Sequence, residues 1–419
     1  MAIIKILEEK INQKKDEINL FFIKKYQQFS GKTLYNSFDI RHSGNKIAVV
    51  DSNCFPAGFN NIKGESLKKS QLEAKTFLEN IIKTESRIAD KKVEDLRIII
   101  IGENHSRNLN YLENLLTLQN IFSFNSNKAK IATTLDSPDH ENYKTVIISE
   151  GKEIKIEYLA LKNKQIQTLE GFVADLIILN NDLTDGVPEL IKNSDTIIVP
   201  NHKLGWYRRK KSHHFQIYNQ LAEELSKILE IDSWFISTII DSAENIDFKN
   251  LIGLDDLANK TENLIAKISA KYQQYNIKDK PYCYIKADNG TYGMAVMPVF
   301  SGDDILTINK KERNKMNAIK GSHLNHQVII QEGIITQDLI TNKTAEPLIY
   351  MMNGEVVANL FRLNQRKDNY ANLNSSGAEF IDSYDINSEL ASIGGSNTFL
   401  AYQLLAKLGS LASSIEINH

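Results

Sequence analysis

Lys286-Ala287-Asp288-Asn289-Gly290-Thr291-Tyr292-Gly293-Met294 decides how this 419-residue chain is read. The run Tyr282 to Lys286 that leads into it has the apolar character of a short strand and ends on a lysine. Two glycines three positions apart then let the backbone turn tightly, so that successive N–H groups can face phosphate oxygens. Neither Gly-x-x-x-x-Gly-Lys-Ser/Thr nor Gly-x-Gly-x-x-Gly occurs in the chain. On these residues alone, a phosphate cradle and an ordinary hairpin with a solvated lysine are both open.

Downstream, Val328 to Ile330 reads as an apolar strand ending in Gln331-Glu332-Gly333. Leu348 to Met352 and Val356 to Phe361 flank Asn353-Gly354, the pair favoured in a type I′ hairpin turn, and the second strand leads into Arg362. An asparagine-rich stretch, Asn372-Leu373-Asn374-Ser375-Ser376-Gly377-Ala378, follows. Helical spacing marks Leu254 to Tyr275, Asp304 to Lys320 and Phe399 to Ile415.

Upstream, the short apolar runs Ile47 to Val50, Leu96 to Ile101, Val146 to Ile148, Leu176 to Leu179 and Ile197 to Val199 read as buried strands. The stretches Leu67 to Lys83, Leu109 to Leu118 and Phe215 to Leu229 repeat apolar residues every three to four positions. This alternation of strand and helix predicts an α/β fold for the first 250 residues. Asp241 to Lys249 is polar enough to mark a boundary, which divides the chain into 1–250 and 251–419. At the start, Ile4, Leu7, Ile11, Ile18 and Phe21 form one helical stripe, for packing within the chain or against a second copy in a homo-oligomer.

Composition narrows the function classes. Fifty Lys and Arg against 52 Asp and Glu give a net charge of −2, and 42% hydrophobic with 24% charged residues is ordinary for a globular protein. A globally basic nucleic-acid binder is not indicated. At about 150 residues per domain, two to three domains are expected. Two cysteines, Cys54 and Cys283, are too few for a disulfide framework or a four-thiolate metal site. No apolar run approaches the ~20 residues that span a bilayer, and the charged N-terminus lacks a signal-peptide pattern, so a cytoplasmic protein without a membrane partner is expected.

Polar clusters supply candidate chemistry. Arg41 and Arg107 suit a bidentate grip on carboxylate, Asp39 or Asp51 suits an ammonium, and Asn53, Asn60 and Asn61 suit amide or carboxyl oxygens. The same residue types also serve as turn and capping residues. The basic run Arg208-Arg209-Lys210-Lys211 fits a phosphate contact or a solvated surface. His213-His214 and the pair His323 and His326 lack companion ligands at metal-site spacing. Cys54 has no histidine nearby in sequence, and Cys283 reads as strand core.

With these residues in view, the order Lys286, the glycine turn, the strand ending in Gln331 to Gly333, and the Asn353-Gly354 hairpin resembles an ATP-grasp ligase. Phe38-Asp39-Ile40-Arg41, Val50-Asp51-Ser52-Asn53 and Phe55-Pro56-Ala57-Gly58-Phe59-Asn60-Asn61 narrow the likeness. So do Glu103-Asn104-His105-Ser106-Arg107-Asn108, Leu179-Asn180-Asn181-Asp182-Leu183 and Gly205-Trp206-Tyr207-Arg208-Arg209-Lys210-Lys211-Ser212. Together they look like the proteobacterial glutamate–cysteine ligase of ATP-grasp type, from residue 33 to residue 416.

That resemblance implies an N-terminal α/β substrate-binding region, then an ATP-grasp region that holds nucleotide between two α+β subdomains. It implies ATP and Mg²⁺ as cofactors and glutamate and cysteine as substrates. ATP would phosphorylate the glutamate side chain, and the amine of cysteine would displace phosphate to give γ-glutamylcysteine, the first step of glutathione biosynthesis. Lys286, Arg362 and Arg41 are the implied catalytic residues. Lys286, Asp288, Gly290, Thr291, Tyr292, Gly293, Gln331, Glu332 and Gly333 are implied nucleotide contacts. Asp39, Arg41, Asp51, Asn53, Asn60, Asn61, Glu103, Arg107, Asn181 and Arg208 are implied substrate contacts. The usual Glu-x-Asn metal motif has no clear copy, so Glu346, Asn372 and Asn374 stand in for it, with Glu379 in reserve. Ala295 stands where the family often has glycine. Another carboxylate–amine ligase with a different amine, a nucleotide-binding regulator without turnover, and an RNA binder using Arg208 to Lys211 are the alternatives.

Overall fold

The computed structural model describes residues 3–29, 31–104, 108–124, 128–290, 296–317, 326–365, 368–374, 377–383 and 399–417. Its class is α/β, as expected, with helices packed on three sheets.

The parallel strands form where the sequence is most continuously β-branched. Ile98–Gly102 is buried along its whole length, as is Leu176–Asn180. They pair in parallel, with Lys130–Thr133 on one side and Ile197–Val199 on the other. Helices Gly64–Thr84 and Leu109–Ile121 share a core with this sheet. Polar positions are rare in these strands because both faces are covered.

A second sheet is wholly antiparallel: Glu379–Asp382, Glu355–Leu363, Lys343–Met352, Tyr35–His42, Ile47–Asn53, with Leu339–Ile340 at one side. Asn353 and Gly354 both have positive φ, 52° and 72°, the backbone a type I′ hairpin needs. The third sheet runs Ile240–Glu244, Gln327–Glu332, Cys283–Ala287, Val296–Val299. Helix Leu254–Gln274 packs on its apolar face through Leu257, Leu264 and Ile268, against Cys283 and Ile285. Alternation along the strand leaves Tyr284 and Lys286 on the opposite face.

The expected division at residue 250 is crossed by two sheets. Strands from residues 35–53 pair into those from 343–382, and Ile240–Glu244 pairs with Gln327–Glu332. The segment expected as a boundary, Asp241 to Lys249, therefore starts in a strand. Its side chains are polar because this strand sits at a sheet edge.

The N-terminal stripe forms two helices, Ile3–Gln13 and Lys15–Gln28, rather than one. Both pack within the chain, against helices Lys211–Leu229 and Leu400–Glu416. The expected helix from Asp304 onward is also split, into Asp303–Leu306 and Lys310–Asn317. Leu400–Glu416 is buried on nearly every face. A Cβ on Gly409 would lie 2.6 Å from the Phe38 ring, so glycine lets the helix backbone rest directly on the strand that carries Asp39 and Arg41.

Candidate active site

Four charged side chains from three neighbouring strands form one buried chain. Arg41 donates from Nε to Glu346 Oε2 at 3.1 Å, and Arg362 Nη1 reaches Glu346 Oε1 at 2.6 Å and Asp39 Oδ1 at 3.0 Å. Strand pairing makes this possible, because Glu346 and Arg362 are opposite one another, as are Asp39 and Leu348 two positions along. Arg41 is fully engaged: Nη1 donates to Tyr284 Oη and Ile334 O, and Nη2 to Ala371 O. Its charge is fixed in place with no donor nitrogen left over. Burial raises the Asp39 carboxyl to about 6; Arg362 opposes that rise while Glu346 and Asp51 add to it.

Across from this chain stands Lys286, 7% exposed, which donates to Val50 O at 2.8 Å and Gln331 Oε1 at 2.7 Å. An ammonium has three protons, so one remains for a ligand. Burial lowers Lys286 to about 8, with Asp51 opposing and Lys211 adding to the effect. Lys211 pairs with Asp51. Burial alone would raise the Asp51 carboxyl, but Lys211 and Lys286 outweigh it and hold it below the usual range.

These groups line a recess of about 50 Å³, with Gly290, Asn372 and Asn374 in its wall. At roughly 10–15 Å³ per water in the same measure, that is space for a group of phosphate size. Asp39, Asp51, Lys211, Gly290 and Asn374 also border a second cavity of about 510 Å³, so the two spaces adjoin. The larger one is lined with amides, Asn53, Asn60, Asn61, Asn108 and Asn110, and with Trp206, Arg362 and Phe380.

The structure gathers Asp39, Arg41, Asp51, Lys286, Gly290, Glu346, Arg362, Asn372 and Asn374 in these two spaces, with Asn53, Asn60 and Asn61. Other expected contacts lie elsewhere. Glu332 is 1% exposed and belongs to the core: Lys46 Nζ donates to it at 2.8 Å, Trp234 Nε1 at 2.9 Å and Ile239 N at 2.9 Å. It borders neither space. Gln331 acts through Lys286, and Gly333 is where the chain presses on Tyr282, whose ring would lie 2.4 Å from an added Cβ. Asp288 faces the start of helix Lys211–Leu229, accepting from Ser212 N and Ser212 Oγ, each at 2.7 Å. Glu103 and Asn181 border a separate cavity of about 190 Å³ at the ends of the parallel strands. Thr291, Tyr292, Gly293, Ala295, Arg107 and His323 lie outside the described residues.

Within the basic run, Arg208 and Lys210 are exposed while Arg209 and Lys211 turn inward, each over the Trp206 ring, at 4.9 and 4.7 Å. Arg208, the expected substrate contact, sits on a turn closed onto Gly205 O and faces outward, and its neighbours are the buried cations. Arg209 donates to Ser52 O at 2.9 Å and Ser52 Oγ at 2.7 Å, and Glu416 of the C-terminal helix accepts from its Nε at 2.8 Å. His214 pairs with the same Glu416, so it is a structural group. Both cysteines are free and buried.

The residues present fit a phosphate better than they fit a metal held by protein alone. Among the described residues, no three His, Cys, Asp or Glu side chains are grouped to bind an ion. Magnesium needs only one or two carboxylates when phosphate and water complete its shell. Glu346 satisfies that demand: each of its oxygens accepts one arginine N–H, which leaves each acceptor capacity, and it borders the recess with Asn372 and Asn374. Among the described residues, no helix is long and apolar enough to cross a membrane.

The chain resembles known proteins in sequence and fold. A crystal structure of a protein from Methylobacillus flagellatus KT, provisionally named a gamma-glutamylcysteine synthetase, superposes with a TM-score of 0.85. The two sequences are 32% identical over 98% of this chain and 95% of that one. D-alanyl-alanine synthetase A from Vibrio cholerae O1 biovar eltor str. N16961 is 10% identical over 71% of this chain and 77% of that one, with a TM-score of 0.33. VanG D-Ala:D-Ser ligase from Enterococcus faecalis is 12% identical over 75% and 83%, with a TM-score of 0.35. Neither of these two carries weight here. No curated protein matches the sequence. The glutamate-cysteine ligase family model matches residues 8–417, nearly the whole length, and the chain belongs to that family.

Proposed function

We propose that this protein joins L-glutamate to L-cysteine at the expense of ATP, giving γ-glutamylcysteine, ADP and phosphate. The observation that carries the reading is the junction between a phosphate-sized recess bordered by Lys211 and Lys286 and a large amide-lined cavity. One space suits the phosphoryl group and the other the amino acids.

In this reading Lys286 and Lys211 neutralise the charge that grows as a phosphoryl group moves from ATP to the glutamate side chain. Glu346, with Asn372 and Asn374, would hold Mg²⁺ through oxygen ligands, and the ion would supply positive charge to the phosphates. Arg41 keeps Glu346 oriented. The amine of cysteine then attacks the acyl carbon, the C–N bond forms, and phosphate leaves with the electron pair of the C–O bond. No bond to the protein is required, so the chain contributes position and charge.

The test is to incubate the purified protein with ATP, Mg²⁺ and glutamate, vary the second amino acid, and follow ADP while identifying the product by mass. ADP release that needs both glutamate and cysteine, with a product of γ-glutamylcysteine mass, is the expected result. A product from a different amine shifts the assignment to another carboxylate–amine ligase. No amino-acid-dependent ADP release overturns it in favour of a binding protein.

A further inference from the structure

Two polar atoms at the edge of the amide-lined cavity are buried yet unmatched. Arg362 is 5% exposed, and its Nε has no hydrogen-bond partner among the described residues. Asp39 Oδ1 lies 3.0 Å from Arg362 Nη1 but accepts no aligned hydrogen bond there. A buried guanidinium N–H with no acceptor, beside a carboxylate oxygen paired by charge alone and still open to a donor, is costly in a folded chain, so the pair calls for a ligand that supplies both complements. Phe380 lies 5.6 Å from the guanidinium carbon and covers its face, which leaves the edge to donate.

Charge decides which ligand. Arg41, Glu346, Arg362 and Asp39 sum to zero, and a neutral set that presents one donor and one acceptor suits a zwitterion better than a phosphate. Lys211, Asp51 and Lys286 sum to plus one, and they border the adjoining recess that Asp39 also borders. A molecule with a zwitterionic head and a carboxylate at its far end matches both sets at once.

We infer that Asp39 and Arg362 clamp the α-ammonium and α-carboxylate of L-glutamate, so that its side-chain carboxylate is delivered to the recess between Lys211 and Lys286. This rests on the function proposed above and moves Arg362 from implied catalytic residue to substrate clamp. Asp51, already paired with Lys211, then has no ammonium to hold.

The probes are L-glutamate, glutarate, which lacks the ammonium, and 4-aminobutyrate, which lacks the α-carboxylate, each titrated calorimetrically into the full chain. In the wild type the two analogues bind at least about tenfold more weakly than glutamate, the scale of one charge-assisted hydrogen bond. Asp39→Asn weakens glutamate and 4-aminobutyrate about 10- to 100-fold and leaves glutarate within about twofold. Arg362→Gln weakens glutamate and glutarate and leaves 4-aminobutyrate unchanged. Parallel loss of all three probes in either variant, or glutamate binding unaltered in both, overturns the clamp. Should a variant not fold, wild-type affinities for the analogues equal to that for glutamate overturn it on their own. ADP release with glutamate and cysteine separates the two readings: a working ligase with the wrong analogue pattern loses only the clamp, and a chain that does not act on glutamate loses both.

Discussion

Lys286 donates to Gln331 Oε1 at 2.7 Å, which ties the one cation of the glycine-turn strand to the strand beside it. Gln331 in turn donates from Nε2 to Thr238 Oγ1 at 3.2 Å. The lysine is thus held ready beneath the recess by uncharged partners, which lower the cost of burial without neutralising the charge.

With the proposed function, that setting predicts pH-dependent nucleotide binding. Burial holds Lys286 near 8, and a phosphate beside it favours the protonated form, so ATP binding between pH 8 and 10 takes up about one proton. Calorimetry in buffers of different ionisation enthalpy reads this as a buffer-dependent heat. Equal heats in all buffers sink it. The sign for stability is opposite: between the folded value and the ordinary lysine value the unfolded chain holds a proton the folded chain has released. This group's contribution to stability therefore rises with pH through that window.

Removing either cation of the recess is expected to cost turnover rather than folding. Lys286→Ala and Lys211→Ala each lower kcat on the order of 10²-fold or more, the scale of losing one preorganised charge-stabilising group. The backbone N–H of Lys211, first residue of helix Lys211–Leu229, donates to Asp288 O just after strand Cys283–Ala287, a bond the substitution keeps. Steady-state ADP release on variants that keep the wild-type circular dichroism is the check, and a near-normal rate in either variant removes that residue from the mechanism.

Glu416 is held down to about 2: burial would raise its carboxyl, but Arg209 and His214 outweigh it. A carboxylate lowered by folding adds stability above its ordinary value near 4.5, and that stability is lost as pH falls toward 2. Glu416→Gln is therefore expected to cost about 3–5 kcal/mol at pH 7, because it leaves Arg209 buried without its counter-charge. The gap in Tm between variant and wild type should narrow as pH drops from 5 to 2. A gap that does not change with pH contradicts the assignment.

Gly409→Ala tests the seat of the C-terminal helix. The added methyl would stand 2.6 Å from the Phe38 ring, so strand or helix must shift, at about 1–3 kcal/mol. Denaturant titration reads the loss directly. A midpoint equal to the wild type would mean that helix and strand separate without cost.

Much of this was legible in the sequence where local rules suffice. Ile98 to Ile101 and Leu176 to Leu179 announced parallel strands because nothing polar interrupts them, and Asn353-Gly354 announced its hairpin because both residues accept positive φ. Tyr35–His42 did not read as a strand, since Asn36, Asp39 and Arg41 break its apolar pattern to build the site. Glu332 shows the other limit. A carboxylate after an apolar strand looks like a ligand contact, yet Lys46, remote in sequence, claims it within the core. The inward turn of Arg209 and Lys211, rather than Arg208, depended on a tryptophan wall that only the folded chain assembles.

The pairing of Tyr35–His42 with Lys343–Met352 brings nearly opposite ends of the polypeptide into one hydrogen-bonded ladder. A ribosome must therefore emit about three hundred intervening residues before the first of these strands finds its outer neighbour, and until then that edge is exposed to pairing with other chains. Fragments that stop short of residue 343 carry Asp39 and Arg41 without Glu346 or Arg362. A prematurely terminated product thus lacks both the outer strands and the Arg41–Glu346–Arg362 linkage they complete.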